Sequence, residues 1–394
     1  MMGKPNALLW FIVPMFLLTG CWSRVEVNDI AIVTATGLDR MDNGDIKVSI
    51  QLAVPRLLGT SAEGGGGGGK LVNDAGWLVS EQGETIMDAY RRIQEKIPRK
   101  IFFSHNRAII IGGKLAGKNV SEVLDFYERY RQSQMRSYIL FTKGEAADIL
   151  GFKPKLEKLT AEVIKEEVKS GIGVHIQLNE FVNMLAAEGQ DPFAPQIEIA
   201  SSRPGADSKE GLSDLVLKGT AVLHRNRIAG WLNNRETRGL LWLRGTMKIG
   251  VITVDVPLEK GGGKISAELV NADTKLIPIL NGRIPRAQVN VKAEFDVYEN
   301  TSRLKLQDSE NISFLERLIE KDLEQRIGET CDKAQQLKSD ITGLGQAIFQ
   351  RRPKTWRRQY KENWNEIFPN VRFSVQSKVD IRRNGMINET MSMK

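Results

Sequence analysis

Cysteine and histidine are scarce in this sequence, and their scarcity limits the chemistry that the protein can support. Its 394 residues include two cysteines, Cys21 and Cys331, and three histidines. No two histidines have the spacing of metal ligands, and no cysteine cluster accompanies them, which argues against a metal site. We therefore expect a protein without a metal or another bound cofactor.

Recognisable catalytic and nucleic-acid motifs are also missing. There is no G-x-S-x-G elbow, and Cys331 lies within a run of apolar residues at helical spacing. That position favours a small buried core residue over a reactive thiolate, which needs an exposed, electropositive setting. The formal net charge is +8, but the basic residues are spread along the chain and form no nucleic-acid motif. We expect neither an enzyme nor a nucleic-acid-binding protein.

The one long apolar run lies near the N-terminus, where Ala7–Leu18 contains no charged residue. A membrane-spanning helix needs about 20 apolar residues, so this run has the length of a signal-peptide hydrophobic region instead. It ends in L-T-G-C, which resembles the bacterial lipobox. The resemblance implies a lipoprotein signal peptide over 1–20, cleavage between Gly20 and Cys21, and a lipidated tether over 21–29. The alternative is a simple secretory leader with an incidental cysteine.

Apolar periodicity predicts an α+β protein with mixed sheets, packed helices and no transmembrane helix in the mature chain. Its length predicts two or three domains, and we divide it into three. Strands and helices alternate over 30–200, an N-terminal α/β region with a flexible glycine loop over 61–70. Serine, glycine, proline and charged residues make 201–214 a linker. A middle β-rich domain over 215–285 and a C-terminal α+β domain over 286–394 follow.

The C-terminal domain is predicted to contain one long helix. Apolar residues recur in steps of three and four from Asn311 to Gln350, and Gly343 and Gly345 weaken the pattern near its end. The closing segment, 371–387, alternates apolar and polar residues and predicts a final hairpin.

A basic and aromatic segment over 351–368 is the strongest physical anomaly in the sequence. Its aromatic residues are four apart, so a helix would place them on one face: Trp356, Tyr360, Trp364 and Phe368. We favour a helix that packs this stripe on the last sheet over one that lies on an anionic membrane. The two interpretations coexist if the basic face alone meets lipid. The candidate membrane-facing patch consists of Arg351, Arg352, Lys354, Arg357 and Arg358.

Several stretches together resemble the Ger(x)C family of spore germination lipoproteins, the C subunits of nutrient germinant receptors in endospore-forming bacteria. The resembling residues are 20–39, 83–93, 99–112, 217–245 and 364–385. They follow the order expected for the family and extend over almost the whole chain.

The resemblance implies a non-catalytic, lipid-anchored receptor subunit at the outer face of the spore inner membrane. Its implied partners are two integral membrane proteins, the A and B subunits, with which it is required to trigger germination. The family picture makes the B subunit the germinant binder. The alternative is a lipid-anchored binding protein that itself captures the nutrient. Cys21 is the one residue to which the resemblance assigns a chemical role.

A short motif, E-T-R-G over 236–239, also matches the family but carries no assigned chemistry. We interpret Glu236 and Arg238 as residues that cap or brace the turn between a helix and its sheet. The alternative is contact with a partner subunit.

Overall fold

The computed structural model describes residues 29–54, 75–154, 157–201 and 213–383. They form an α+β fold with two β-sheets, which confirms the predicted fold class. The predicted signal peptide, almost all of the predicted tether and the predicted glycine loop lie outside these residues.

Nine strands form the first sheet. They are Ile30–Arg40 (β1), Ile46–Ala53 (β2), Gly76–Gly83 (β3), Lys100–Phe102 (β4), Ala108–Ile111 (β5), Tyr138–Phe141 (β6), Phe193–Ser201 (β7), Ser213–His224 (β8) and Arg227–Leu232 (β9). Their order is β3-β2-β1-β5-β6-β7-β8-β9, and β4 pairs with the first residues of β1. The central strands β1, β5, β6 and β7 run parallel, whereas antiparallel pairs flank them on both sides.

Helices cover both faces of the parallel part of this sheet. They are Ile86–Lys96 (α1), Gly113–Lys118 (α2), Ser121–Arg129 (α3), Ala146–Gly151 (α4), Thr160–Lys169 (α5) and Leu178–Ala186 (α6). Successive residues of a strand point to opposite faces, so Ala108 and Ile110 join one core cluster with α4 and α5. Ile109 and Ile111 join the other cluster with α1, α3 and α6. Burial on both faces explains why β5 reads as an unbroken apolar run.

The second sheet has four strands in the order in which they occur in the chain. The remaining elements are Asn234–Leu243 (α7), Val251–Asp255 (β10), a 3₁₀ turn at Leu258–Lys260, Lys264–Ile279 (β11), Arg286–Asn300 (β12), Ser309–Gln336 (α8), Leu344–Arg351 (α9), Pro353–Thr355 (α10), a π-helical turn at Trp356–Tyr360, Trp364–Ile367 (α11), a 3₁₀ turn at Phe368–Asn370, and Arg372–Arg383 (β13). β10, β11 and β12 are antiparallel neighbours, and β13 runs parallel to β12.

Both predicted interdomain boundaries fall at connections between paired strands. β7 and β8, on either side of the predicted linker 201–214, pair antiparallel, and so do β11 and β12 on either side of residue 285. Hairpin connections and interdomain linkers are both rich in glycine, proline and polar residues, so composition does not distinguish them. The division into three domains therefore stays a prediction, and residues 202–212 lie outside the described part of the chain.

One prediction for the C-terminal region is wrong. The sequence predicts one helix from Asn311 to Gln350, but α8 ends at Gln336 and α9 starts at Leu344. Lys338 and Gly343 have positive φ angles of 52° and 78°, which no continuous helix allows. Residues 339–343 of the connecting loop are buried, so its apolar residues preserve the helical pattern of the sequence.

The described part of the predicted closing hairpin is one strand, β13. Residues 384–387 of that prediction lie outside the described part of the chain, so the hairpin stays a prediction. Its backbone N–H groups on the side away from β12 donate to carboxylates of α8, which form a glutamate ladder. The three bonds run from the N–H of Ser377, Val379 and Ile381 to Oε1 of Glu324, Glu320 and Glu316, at 3.0, 3.1 and 3.1 Å. The ladder satisfies donors that an open sheet edge would leave unpaired.

Candidate functional site

The histidines of the described residues are well separated. His105 is exposed between β4 and β5, while His224 at the end of β8 lies with Nδ1 3.3 Å from Oδ2 of Asp191. No group of three or more His, Cys, Asp or Glu side chains in the described ranges could hold a metal ion. Cys331 is 1% exposed on the buried side of α8, and burial raises the pKa of its thiol. Its predicted position as a small core residue is confirmed.

The carboxyl ends of the parallel strands are the usual place for a ligand in an α/β sheet. In this protein Asp39, at the end of β1, fills that position with its own carboxylate. Asp39 accepts hydrogen bonds from the backbone N–H groups of Ala146 and Ala147 at 2.7 and 3.0 Å, at the start of α4. A Cβ on Gly112 would lie 1.9 Å from Oδ1 of Asp39, so glycine is needed beside it. The protein's own side chain therefore takes the place that an anion would occupy.

Every residue of the E-T-R-G motif has a contact within the fold. Asn233 and Glu236 form a capping box at the start of α7, with reciprocal bonds of 2.9 and 2.8 Å. Thr237 bonds the hydroxyl of Thr220 in β8 at 2.9 Å. Arg238 donates to the carbonyl oxygen of Val251 in β10 at 3.1 Å.

Gly239, the last residue of the motif, lies where α7 crosses α8. A Cβ at this position would come within 2.1 Å of Oγ1 of Thr330. The same hydroxyl donates to the carbonyl oxygen of Glu236 at 2.9 Å. The motif therefore holds α7 between β10 and α8, and the role in partner contact stays a prediction.

A pair of aspartates joins the first sheet to the C-terminal helices. Oδ2 of Asp191 accepts from the backbone N–H of Asp340 at 2.9 Å, and the N–H of Asp191 donates to the carbonyl oxygen of Asp340 at 2.9 Å. Asp191 also accepts from the N–H of Arg225 in the β8–β9 turn. These bonds join three distant loops, and we call them the aspartate clasp.

Asp340 organises the loop between α8 and α9. Its carboxylate accepts five hydrogen bonds, from the hydroxyl of Thr342, the N–H groups of Gly343, Leu344 and Gly345, and Nε1 of Trp364. Burial raises the pKa of Asp340, and the bonds from Thr342, Gly345 and Trp364 oppose that rise. A carboxylate suits this position because it can accept from several donors at once.

The aromatic residues of segment 351–368 are buried, as the favoured interpretation predicts. Trp356, Tyr360, Trp364 and Phe368 are each at most 6% exposed. In a regular α-helix, residues four apart drift by about 40° at each step, so such a stripe would rotate away from the core. The π-helical turn at Trp356–Tyr360 and the breaks that follow offset this drift. The predicted single helix is therefore several short segments.

The basic side chains of the same segment point outward. Arg351, Arg352, Lys354, Arg357 and Arg358 are all exposed. None of them forms an ion pair with another residue of the described chain, although nearby Lys361 pairs with Glu188 at 2.8 Å. Arg357 lies over the ring of Phe349, 5.8 Å from its centroid. The structure thus separates a buried aromatic side from an exposed cationic side.

Two adjoining clefts of about 440 and 460 Å³ lie beside α1 and share Thr85, Met87 and Tyr130. Two of the carboxylates that line the clefts pair with arginines. Glu122 bonds Arg40 at 2.8 Å, and Asp125 bonds Arg129 at 2.7 Å. The clefts are large enough for a small molecule, but Glu122 and Asp125 already have partners.

Comparison with known families identifies the relationship of the whole chain. The profile described as "Spore germination protein N-terminal domain" matches residues 23–199, and the profile "Spore germination B3/ GerAC like, C-terminal" matches residues 218–385. The chain belongs to the GerAC-like family of spore germination proteins.

Relatives of similar length support this assignment to the GerAC-like family. YfkR of Bacillus subtilis (strain 168) is 28% identical over 376 residues, which cover 95% of this chain and 96% of YfkR. "Spore germination protein KC" of the same organism is 25% identical over 98% of both chains. The crystal structure of the GerBC protein matches with a TM-score of 0.56 and 20% identity, over 89% of this chain and 97% of that one, which shows a shared fold. These relationships support a role in spore germination.

The structure leaves some predicted residues of this GerAC-like protein untested. Gly20 and Cys21 lie outside the described residues. Among the described helices, none combines the length and apolar character needed to cross a membrane.

Sequence reasoning missed Asp39 and both members of the aspartate clasp. Ala146, the partner of Asp39, and Asp340, the clasp partner of Asp191, each lie more than a hundred residues away along the chain. The one local signal is the D-x-T-G pattern from Asp340 to Gly343, which is typical of side chains that bond their own loop.

Proposed function

We propose that this protein is the lipid-anchored, non-catalytic C subunit of a spore nutrient germinant receptor. The observation that carries the proposal is the ordered match of both family profiles along the chain. The lipobox-like sequence that ends in Gly20 and Cys21 supports an anchor made by acylation of Cys21. The proposed location is the outer face of the spore inner membrane, and the proposed partners are the integral membrane A and B subunits.

The proposed mechanism is positional. An anchor at Cys21 confines the protein to the bilayer surface, which raises its effective concentration near membrane partners. The tether from Cys21 to Asp29 spans at most about 3 nm when extended. The aspartate clasp and the contacts of the E-T-R-G motif then hold the two sheets as one body that partners can recognise.

The anchoring half of the proposal is tested with Cys21→Ala. We expect the variant protein to leave the spore membrane fraction and the germination response to fall with it. A well-expressed variant that germinates normally would rule out a functional anchor. Ser23→Ala, two residues away, is the matched control and should retain both properties.

The receptor half of the proposal is tested by purification from spore membranes. A tagged copy of the protein should co-purify with two integral membrane subunits after gentle detergent extraction. Recovery of the protein alone, under conditions that keep the A and B subunits together, would contradict the proposal.

The adjoining clefts beside α1 favour a second candidate function, capture of a small nutrient by this protein itself. Met87 and Tyr130 supply an apolar surface shared by both clefts. Calorimetric titration of the purified protein with nutrients tests it, with Tyr130→Ala as the variant. Saturable binding that this substitution abolishes would favour the second function over the first.

A further inference from the structure

The turn between β11 and β12 lies against the basic segment. The hydroxyl of Tyr360 donates to the carbonyl oxygen of Gly282 at 3.3 Å. This turn carries the exposed Arg283 and Ile284, which is 44% exposed, and β12 begins directly after it with the exposed Arg286. Two separate parts of the chain therefore bring basic side chains to one region of the surface.

These additional arginines are also unpaired. Neither Arg283 nor Arg286 forms an ion pair within the described part of the chain, and the same is true of Arg372, the register partner of Arg286 in β13. We call the turn 280–286 together with the segment 351–358 the cationic face. It contains seven basic residues and no acidic residue.

The cationic face is held rigidly by the groups behind it. Nε1 of Trp356 donates to Oε2 of Glu188 at 2.8 Å, and Nε1 of Trp364 donates to Oδ2 of Asp340 at 3.1 Å. The rings of Trp356 and Trp364 also meet edge to face, with centroids 5.1 Å apart. The buried side of the segment is therefore fixed in the core, and the face presents its charges without a conformational change.

We propose that the cationic face rests on an anionic lipid surface, with Ile284 entering the headgroup region. The proposal deepens the proposed function, because it states which side of the anchored protein meets the bilayer. Basic side chains near an anionic leaflet each contribute to binding, and an apolar side chain at a turn can enter the interface between them.

A lipid surface fits this face better than a protein partner. Protein interfaces have an apolar centre in which charged residues are depleted. Among the large apolar side chains that are exposed in the described chain, Ile284 is the one that belongs to this face. One exposed apolar side chain among seven basic residues is suited to a lipid bilayer, whose surface presents many mobile phosphate groups.

Vesicle co-sedimentation of the full chain tests the proposal. The chain carries Cys21→Ala, so that acylation does not contribute, and any contribution of the leader is common to all variants. The vesicles contain phosphatidylcholine alone or with phosphatidylglycerol. We expect tighter binding to the anionic vesicles, and this preference should weaken as salt is raised.

The test variant combines Arg351→Gln, Arg352→Gln and Arg358→Gln. The matched control combines Arg99→Gln, Lys100→Gln and Arg107→Gln, which are exposed at the starts of β4 and β5 and remove the same charge. Each neutralised residue of the face should weaken binding about fivefold, and the three together on the order of 100-fold. The control should bind like the parent chain. Ile284→Ser should weaken binding by roughly three- to tenfold.

Equal binding by the test and control variants would overturn the proposal. So would a test variant that binds vesicles normally but no longer co-purifies with membrane subunits, because the face would then meet an acidic protein surface. Loss of vesicle binding in the test variant alone supports the proposal. The result is independent of the Cys21→Ala experiment in spores, so failure of one proposal is distinguishable from failure of the other.

Discussion

Oε1 of Glu320 accepts a hydrogen bond from the backbone N–H of Val379 at 3.1 Å, as the middle rung of the glutamate ladder between α8 and β13. Four residues of an α-helix rise about 6 Å. Two residues of a β-strand rise about 6.6 Å. Because these distances nearly match, a glutamate at every fourth helix position can meet every second N–H of the strand over three rungs.

The ladder predicts that Glu320→Ala destabilises the protein. The N–H of Val379 would lose its acceptor, which costs about 1–2 kcal/mol of the free energy of unfolding. Glu320→Gln keeps an acceptor oxygen and should lose less. Urea unfolding followed by circular dichroism measures both. The exposed neighbour Lys321→Ala is the control, and an equal effect of the two alanine substitutions would show that the rung contributes nothing.

Substitution of glycine by alanine is expected to change the free energy of unfolding in opposite directions at Gly343 and Gly328. Gly343 has a φ of 78°, and a Cβ there would lie 2.1 Å from Nη1 of the half-buried Arg244. Gly343→Ala should therefore lower the free energy of unfolding by about 2 kcal/mol or more. Gly328 lies inside α8, and a Cβ added there would meet no atom within 4 Å, so Gly328→Ala should raise stability by about 1 kcal/mol. Thermal unfolding of both variants checks the two signs.

The five hydrogen bonds to Asp340 predict a large effect of Asp340→Asn. An amide offers one acceptor oxygen and directs its own N–H donors at the donors of the loop. We expect a loss of at least about 2 kcal/mol. The emission of Trp364, whose Nε1 bonds Asp340, should shift as the contact is lost. Asp332→Asn, exposed on α8, is the control, and a similar loss in both variants would contradict the clasp.

Asp39 predicts a specific pH dependence. Burial raises its pKa above the ordinary value of 3.8, although the bonds from Ala146 and Ala147 oppose the rise. Between 3.8 and the raised pKa the folded chain binds more protons than the unfolded chain, so this group's contribution to stability falls as pH rises through that window. Asp39→Asn removes the contribution. The stability of the parent chain relative to this variant should therefore decrease with rising pH, measured by urea unfolding at several pH values. A stability difference between the parent chain and the variant that grows with rising pH would contradict a raised pKa of Asp39.

Local patterns predicted the parts of the fold that depend on burial alone. Apolar patterns predicted the succession of strands and helices over 30–200, and the spacing of Trp356 and Tyr360 identified a buried aromatic side. The burial of Cys331 was predicted correctly because apolar residues at helical spacing mark the buried side of a helix. These features need only the chain segment itself and the fact that one of its sides is buried.

Features that depend on distant partners could not be predicted in this way. The sequence after Gln336 keeps a helical apolar pattern because Ile341 and Leu344 are buried. The helix nevertheless ends there, because the carboxylate of Asp340 accepts hydrogen bonds from the backbone N–H groups of the loop. Asp191 lies far away in sequence, and no single-chain pattern pairs it with Asp340. The cationic face likewise required the turn before β12 to be placed beside Tyr360.

The parallel pairing of β12 with β13 has a consequence for biosynthesis. β12 is made before α8 and α9, but its outer edge is filled by residues 372–383 after the whole crossover has been synthesised. Until then the unpaired edge of β12 can recruit strands from other chains. A chain that stops before Arg372 would therefore associate with other copies of itself, and the truncation would be detected as aggregated protein.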